Sequence, residues 1–337
     1  MVPVTFSVII PAHHRAEYLP SSVASVLGQT LPRSEFETLV VKNFARPELD
    51  RTLADQGVRL LDSTQVPLGA KLAQAVEAAN GRILTFLEDD DLYAPDRLAQ
   101  VRSAFEDAEL GYFHNASQLI DRNGASAPGG FRAESRREVR VAARDRSAAA
   151  VRRLLRASAY FNLSSVAVRR AALEPALPHL GSTNLTCDNL LFYSALVSGL
   201  GLRNDPRPLT YYRLHASASW TGTDGPAFFE REARKWEGIV DGFERILAMT
   251  HGTPVERFAR GDLLERKALY ALAASPREAP FPGRDLPRLL RRRLSGDAEI
   301  AVGATVAGLL LRSVAPVLER RLYLRHTLRR ASRLGLA

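Results

Sequence analysis

The chain has 337 residues, 46% of them hydrophobic and 25% charged, an ordinary globular composition with enough length for one large domain or two. Its single cysteine, Cys187, excludes an intramolecular disulfide and a cysteine-based zinc site, and suits a reducing compartment. The net charge of +9 is uneven: from Arg284 onward twelve arginines face four acids, so the first 283 residues are close to neutral. A basic tail of this kind points to an anionic partner, either a membrane surface or nucleic acid.

Residues 4–10, Val-Thr-Phe-Ser-Val-Ile-Ile, are a continuously apolar, β-branched run that reads as a buried strand stopped by Pro11. No basic segment and apolar core precede it, so no signal peptide is expected. A helix follows over 19–27 with Gly28 as its cap, then strands over 36–41 and 58–61 and a helix over 71–79 closed by Asn80-Gly81. The strand at 83–87 runs straight into four consecutive carboxylates, Glu88-Asp89-Asp90-Asp91, and the helix signal Pro95-Asp96-Arg97-Leu98 comes next. This alternation predicts a parallel, doubly wound half-domain.

The middle of the chain is less regular. Residues 110–120 read as one or two strands ending in the turn Asp121-Arg122-Asn123-Gly124, and 125–147 as a loop or irregular insertion. A strand over 164–168, a helix over 188–200 marked by Thr186 and Asp188, and a strand over 208–215 complete this part. Helices are predicted over 227–249 and 254–274. Residues 300–311 are apolar but too short for a confident spanning helix. Residues 319–333 alternate arginine with leucine, as an interfacial helix does and as a solvated basic face also does. Trp220 and Trp236 suit either an acceptor-side wall or a helical core.

Adjacent carboxylates repel, so such a cluster at a strand end calls for a cation to offset the charge, and strand ends of open α/β sheets are where ligands bind. A solvated acidic turn is the plainer alternative. Three further pieces belong with the cluster: Pro11-Ala12-His13-His14-Arg15 after the first strand, Cys187-Asp188 at a helix start, and Tyr211-Tyr212-Arg213-Leu214-His215 ending a late strand. The ordered set Ser7-Val8-Ile9-Ile10-Pro11, Phe86-Leu87-Glu88-Asp89-Asp90-Asp91 with Tyr93 and Pro95-Asp96-Arg97-Leu98, Asp188, and Tyr212-Arg213-Leu214-His215 resembles the family-2 glycosyltransferases of GT-A fold over about residues 4–220.

The resemblance implies an α/β architecture: a Rossmann-like mixed sheet flanked by helices in a domain at 1–222, followed by a helical region at 223–337 with the basic tail. It implies an inverting, hexosyltransferase-like enzyme that moves a sugar from a nucleoside-diphosphate sugar to an acceptor hydroxyl in glycan, polysaccharide or glycolipid synthesis. The acidic run would be its DXD-type motif. Asp90 would ligate Mn²⁺ or Mg²⁺ bridging the phosphates, with His215 as a further metal ligand, and Asp89 would face the ribose. Asp188 would be the general base, its alternative use being a helix cap. Pro11, His13, Arg15, Asn43, Lys71 and Arg213 would line the donor pocket; for Lys71 a solvated helix start is the alternative.

One departure concerns the second strand, where the family usually places an acidic pair that reads the nucleobase. Here Lys42-Asn43 stands, and Lys42 reverses the expected charge. His13 and His14, adjacent on an extended segment, are expected on opposite sides. The acceptor would be a glycan or a lipid-linked molecule, with the protein cytoplasmic or peripheral at the inner membrane face. Nucleic acid is disfavoured, because aromatic content is 7% and the tail lacks regular aromatic interleaving. Two other classes share parts of the pattern: a binding protein without transfer activity, and a nucleotidyltransferase. Against the latter, residues 11–19 contain no glycine for a phosphate loop.

Overall fold

The structure is a computed structural model that describes residues 5–14, 16–132, 137–215, 227–295 and 302–312. The expectations for Arg15, Trp220 and the tail beyond 312 lie outside the described residues. The chain forms two compact units, one of residues 1–126 and 130–213, the other of 127–129 and 214–337.

The first unit opens with β1 (Phe6–Ala12), α1 (Leu19–Leu27), β2 (Phe36–Lys42), α2 (Pro47–Asp55), β3 (Arg59–Asp62), α3 (Leu68–Ala78) and β4 (Ile83–Phe86). These four strands are mutually parallel in the order β3-β2-β1-β4. β1 is buried along its whole length, as its unbroken apolar run requires. It also continues through Pro11, where the sequence suggested a stop. β4 pairs only with Phe6–Ile9, so the missing N–H of Pro11 falls where that neighbour has ended.

Then follow β5 (Leu92–Tyr93), α4 (Arg97–Ala104), β6 (Leu110–Ile120), β7 (Ser126–Arg132), β8 (Val139–Val141), α5 (Ala148–Arg156), β9 (Val166–Arg169), α6 (Arg170–Leu173), α7 (Leu177–Leu180), α8 (Cys187–Ser198) and β10 (Gly201–Arg213). β9 enters antiparallel between β4 and β6, β10 lies parallel to β6, and β5 closes that edge antiparallel to β10. The sheet is therefore mixed, of the GT-A Rossmann-like type. The expected insertion at 125–147 contains β7 and β8, which pair with β6 and β10. Cross-strand partners, absent from any local pattern, decide those two strands.

The second unit contains α9 (Ala227–Met249), α10 (Glu256–Ala273), α11 (Leu286–Ser295) and α12 (Val302–Arg312). Its core gathers Phe228, Ala268, Leu272, Leu289 and Leu309, with Trp236 packed against it. Arg292 bonds buried Asp262 (2.8 Å) and Glu265 (2.7 Å), and its guanidinium occupies the space that a side chain at Gly261 would fill. No helix among the described residues is long and apolar enough to cross a membrane.

Candidate active site

The acidic run leaves β4 as a tight turn closed by Asp91 N–H to the Glu88 carbonyl, 3.2 Å. Neighbouring elements fix it from several sides. Ser22 of α1 shares its hydroxyl proton between the carbonyls of Asp89 (2.9 Å) and Asp91 (2.7 Å). Ser164 accepts from Glu88 N–H at 3.0 Å and donates to Asp91 Oδ2 at 2.7 Å. Arg213 of β10 donates its backbone N–H to Asp91 Oδ1 (2.9 Å) and its Nε to the Asp90 carbonyl (2.7 Å).

Burial, reinforced by the neighbouring Asp90 charge, pushes the Asp91 carboxyl up to about 8 despite the hydrogen bonds it accepts. Glu88 is pushed well above the carboxylate range by burial and then by Asp90, Asp91 and Asp188. So much uncompensated acid in one turn fits a site for a hard cation. Asp90 is half-buried and Asp89 buried, with Asp89 Oδ2 accepting from His13 N–H at 3.3 Å. Among the described residues no group of three or more His, Cys, Asp or Glu is arranged to hold a metal alone.

Asp188 is the second residue of α8, not its cap; Thr186 holds that position. Its Oδ1 accepts from the backbone N–H and side-chain amide of Asn189, both at 2.8 Å, and its Oδ2 from Asn162 N–H at 3.2 Å. Burial raises its pKa against the lowering effect of these bonds. A helix N-terminus by itself favours the ionised carboxylate; here desolvation outweighs it and makes the group a better proton acceptor.

The donor-side candidates converge on His13. Lys71 is 1% exposed, which excludes the solvated alternative, and its Nζ lies 2.6 Å from His13 Nδ1. Burial lowers the Lys71 pKa, partly countered by Asp89. Asn43 donates to His13 Nδ1 (3.1 Å) and His14 Nε2 (3.2 Å) while its Oδ1 accepts from His14 N–H (3.0 Å). The two histidine rings therefore share one side, 4.2 Å apart, contrary to the expectation from an extended segment. The reason is His14 itself, whose φ of +55° breaks the alternation.

Lys42 also departs from expectation. Its ammonium is buried against Asp62 (2.7 Å), Asp50 (3.2 Å) and the Phe44 carbonyl (3.0 Å), so its charge is compensated locally. Burial would lower its pKa, but the two aspartates raise it overall. Arg213, expected on the diphosphate, also directs Nη1 to the carbonyls of Asp121 (3.3 Å) and Arg122 (3.0 Å) and stacks over Tyr18. Its guanidinium thus fastens the turn at 121–124 to the acidic run. His215 is buried and falls in the second unit.

Asn162 and Ser164, which tie the acidic turn to Asp188, were not singled out by sequence reasoning. Their signal is the Asn-Leu-Ser triplet before β9, an Asx-type turn in which Asn162 Oδ1 accepts from Ser164 N–H at 2.9 Å.

Residues 7–129 match the family model described as Glycosyl transferase family 2. An uncharacterized glycosyltransferase of Nostoc sp. is 26% identical over 247 residues, 69% of this chain and 71% of that protein. The glycosyltransferase AglE of Haloferax volcanii is 34% identical over 90 residues, covering 25% of this chain and 30% of AglE. Among solved structures, S. aureus TarS in complex with UDP-GlcNAc aligns with TM-score 0.53 at 14% identity, over 92% of this chain and 91% of that one. The mannosyltransferase PcManGT from Pyrobaculum calidifontis, in complex with GDP-Man and Mn²⁺, aligns with TM-score 0.52 at 16% identity, over 96% and 87%. With the ordered motifs already in place, these matches show a GT-A fold and a likeness to family 2 glycosyltransferases over residues 7–129.

Proposed function

We propose that the protein is a metal-dependent inverting transferase that uses a nucleoside-diphosphate sugar. The observation that carries this reading is the hydrogen-bonded link, through Asn162 and Ser164, between the acidic turn and the raised carboxyl of Asp188. One end of that link suits a donor diphosphate and the other an acceptor hydroxyl. Asp90, half-buried in a turn of oxygen ligands, would hold a divalent cation together with phosphate oxygens, since such ions take one or two protein carboxylates at nucleotide sites. When bound, the cation would stabilise the charge that develops on the departing diphosphate. His215 stays a proposed ligand by family pattern alone.

Asp188 accepts the acceptor's proton as the hydroxyl oxygen bonds to the anomeric carbon. The carbon–oxygen bond to the diphosphate breaks on the opposite face, and its electron pair leaves with the diphosphate. Attack from that face inverts the carbon. Lys71, His13 and Asn43 hold the nucleotide side, and Arg213 acts through the backbone it fastens. The acceptor would be a glycan or lipid-linked molecule. A membrane-surface role is supported by α11, where Leu290 and Leu294, 42% and 87% exposed, stand one turn apart beside exposed Arg288 and Arg291.

The test is a panel of UDP-, GDP-, CDP-, ADP- and dTDP-sugars scored by thermal shift with and without Mn²⁺. Stabilisation that requires both the metal and a particular donor, about 2.7 kcal/mol at a hundredfold excess over Kd, is expected. A panel in which no donor stabilises the protein overturns the reading. Release of pyrophosphate in place of nucleoside diphosphate would instead indicate a nucleotidyltransferase.

A further inference from the structure

Asn162 has φ +70° and ψ +111°, a backbone that side-chain-bearing residues adopt rarely and asparagine more readily than most. It ends a segment that starts with another left-handed non-glycine residue, Ser158 at φ +48°. Such a segment persists only where its surroundings hold it. β6 does so through two side chains on one face of the strand. Tyr112 donates its hydroxyl to the Ala159 carbonyl at 2.8 Å, and the His114 Nε2 lies 2.6 Å from the Phe161 carbonyl. The Phe161 ring, in turn, packs on Tyr212 of β10.

The left-handed backbone sends the Asn162 N–H to Asp188 Oδ2 at 3.2 Å while its side-chain Nδ2 reaches Asp91 Oδ2 at 3.5 Å. Asn162 is 4% exposed, so neither contact competes with bulk water. Both Asn189 donors lie on Oδ1, and the Asn162 N–H donates to the other oxygen, Oδ2, and helps to orient it.

We propose that Asn162 is a positioning residue that sets the spacing between proton acceptor and donor-phosphate site, through its backbone at Asp188 and its side chain at Asp91. This rests on Asp188 being the base. A misplacement of about 1 Å between such groups costs roughly a hundredfold in rate, which is the scale of effect at stake.

Two substitutions separate the two halves. Asn162→Gly keeps the left-handed backbone and its N–H but deletes the amide; Asn162→Ala deletes the amide and penalises the backbone as well. The Asp188 carboxyl is followed by ¹³C NMR in aspartate-labelled protein, with its signal assigned by its loss in Asp188→Asn. Glu88, Cys187 and Tyr112 are the titratable groups that face it and are common to all variants. Asn162→Ala should raise the Asp188 midpoint by about one pH unit, because a donor to the charged form is lost, while Asn162→Gly stays close to wild type. Equal midpoints in all three proteins overturn the backbone half. Asn162→Gly should also weaken Mn²⁺–UDP binding about threefold, the scale of one ordinary hydrogen bond. An unchanged dissociation constant overturns the side-chain half. The NMR titration needs no donor, so a wild-type protein that turns over no nucleotide sugar would sink the transferase reading and leave the Asp188 result standing.

Discussion

Asp91 and Asp188 owe their raised pKa values to burial before any neighbour acts. For Asp188, the proposed base, the expected consequence is catalytic. Asp188→Asn preserves shape but removes the proton acceptor, so transfer should fall about 10²–10⁴-fold while donor binding persists, as rate and binding assays on the same variant would show. Near-normal transfer by this variant would end its assignment as base. Asp90→Asn, in contrast, should lose the Mn²⁺-dependent part of donor binding. For Asp91 the consequence is thermodynamic. The folded protein holds its proton up to about pH 8, whereas the unfolded chain releases it near 3.8. Between those values the folded state binds the extra proton, so metal-free stability falls as pH rises. A cation held at this turn, as proposed, would displace that proton. Added Mn²⁺ should therefore raise Tm more at pH 8 than at pH 5.5, and an equal increment at both would count against a cation at this turn. The acids were legible in the sequence because four in a row at a strand end have few structural uses. Asn162 was not, since its importance lies in a φ value and two partners distant in the chain.

The elements divide along the same line. α1 and α9 agree with their predicted bounds; for α1 the local signals are Pro20 in its first turn and Gly28 at its end. α2 and α5 were missed: α2 has only Leu53 buried, and α5 follows a stretch without period. α3 begins three residues earlier than expected, at Leu68, because tertiary packing supplies what propensity does not. Gly69 donates its N–H to the Thr183 carbonyl at 2.9 Å, and any side chain there would collide with the carbonyls of Leu180 and Thr183. Asn184 Oδ1 accepts from Leu68 N–H at 3.0 Å beside this contact. The helix carrying Lys71 is thus stitched to the loop that leads into Asp188. Gly69→Ala should force them apart, lowering stability by about 1–3 kcal/mol, and should raise KM for the donor as Lys71 shifts. Thermal denaturation and kinetics on that variant check both, and an unchanged Tm would show that the loop yields freely.

Across the whole molecule, the alternation of strands and helices made the α/β class legible, but the antiparallel entry of β9 was not, since no local pattern records which strands become neighbours. Charge is distributed on the same large scale, with the excess arginines gathered after residue 283. The protein should sediment with vesicles rich in phosphatidylglycerol and not with neutral ones, and should be released by salt. Leu294→Glu should reduce that binding without affecting donor-induced thermal shift. Binding that is equally strong in the variant would place the contact elsewhere.

The late arrival of β9 also governs how the chain comes off the ribosome. β1 to β4 are complete by residue 86 and can assemble from near neighbours, yet the outer edge of β4, Ile83-Leu84-Thr85-Phe86, meets its partner only at residues 167–169. Until some eighty further residues are made, an apolar strand stands with open hydrogen-bonding groups, a template for pairing with another nascent chain. The four carboxylates that follow it at once have the placement by which charge discourages such pairing. The cluster that the proposed chemistry needs in the folded protein would thus act in the nascent chain as a gatekeeper against aggregation.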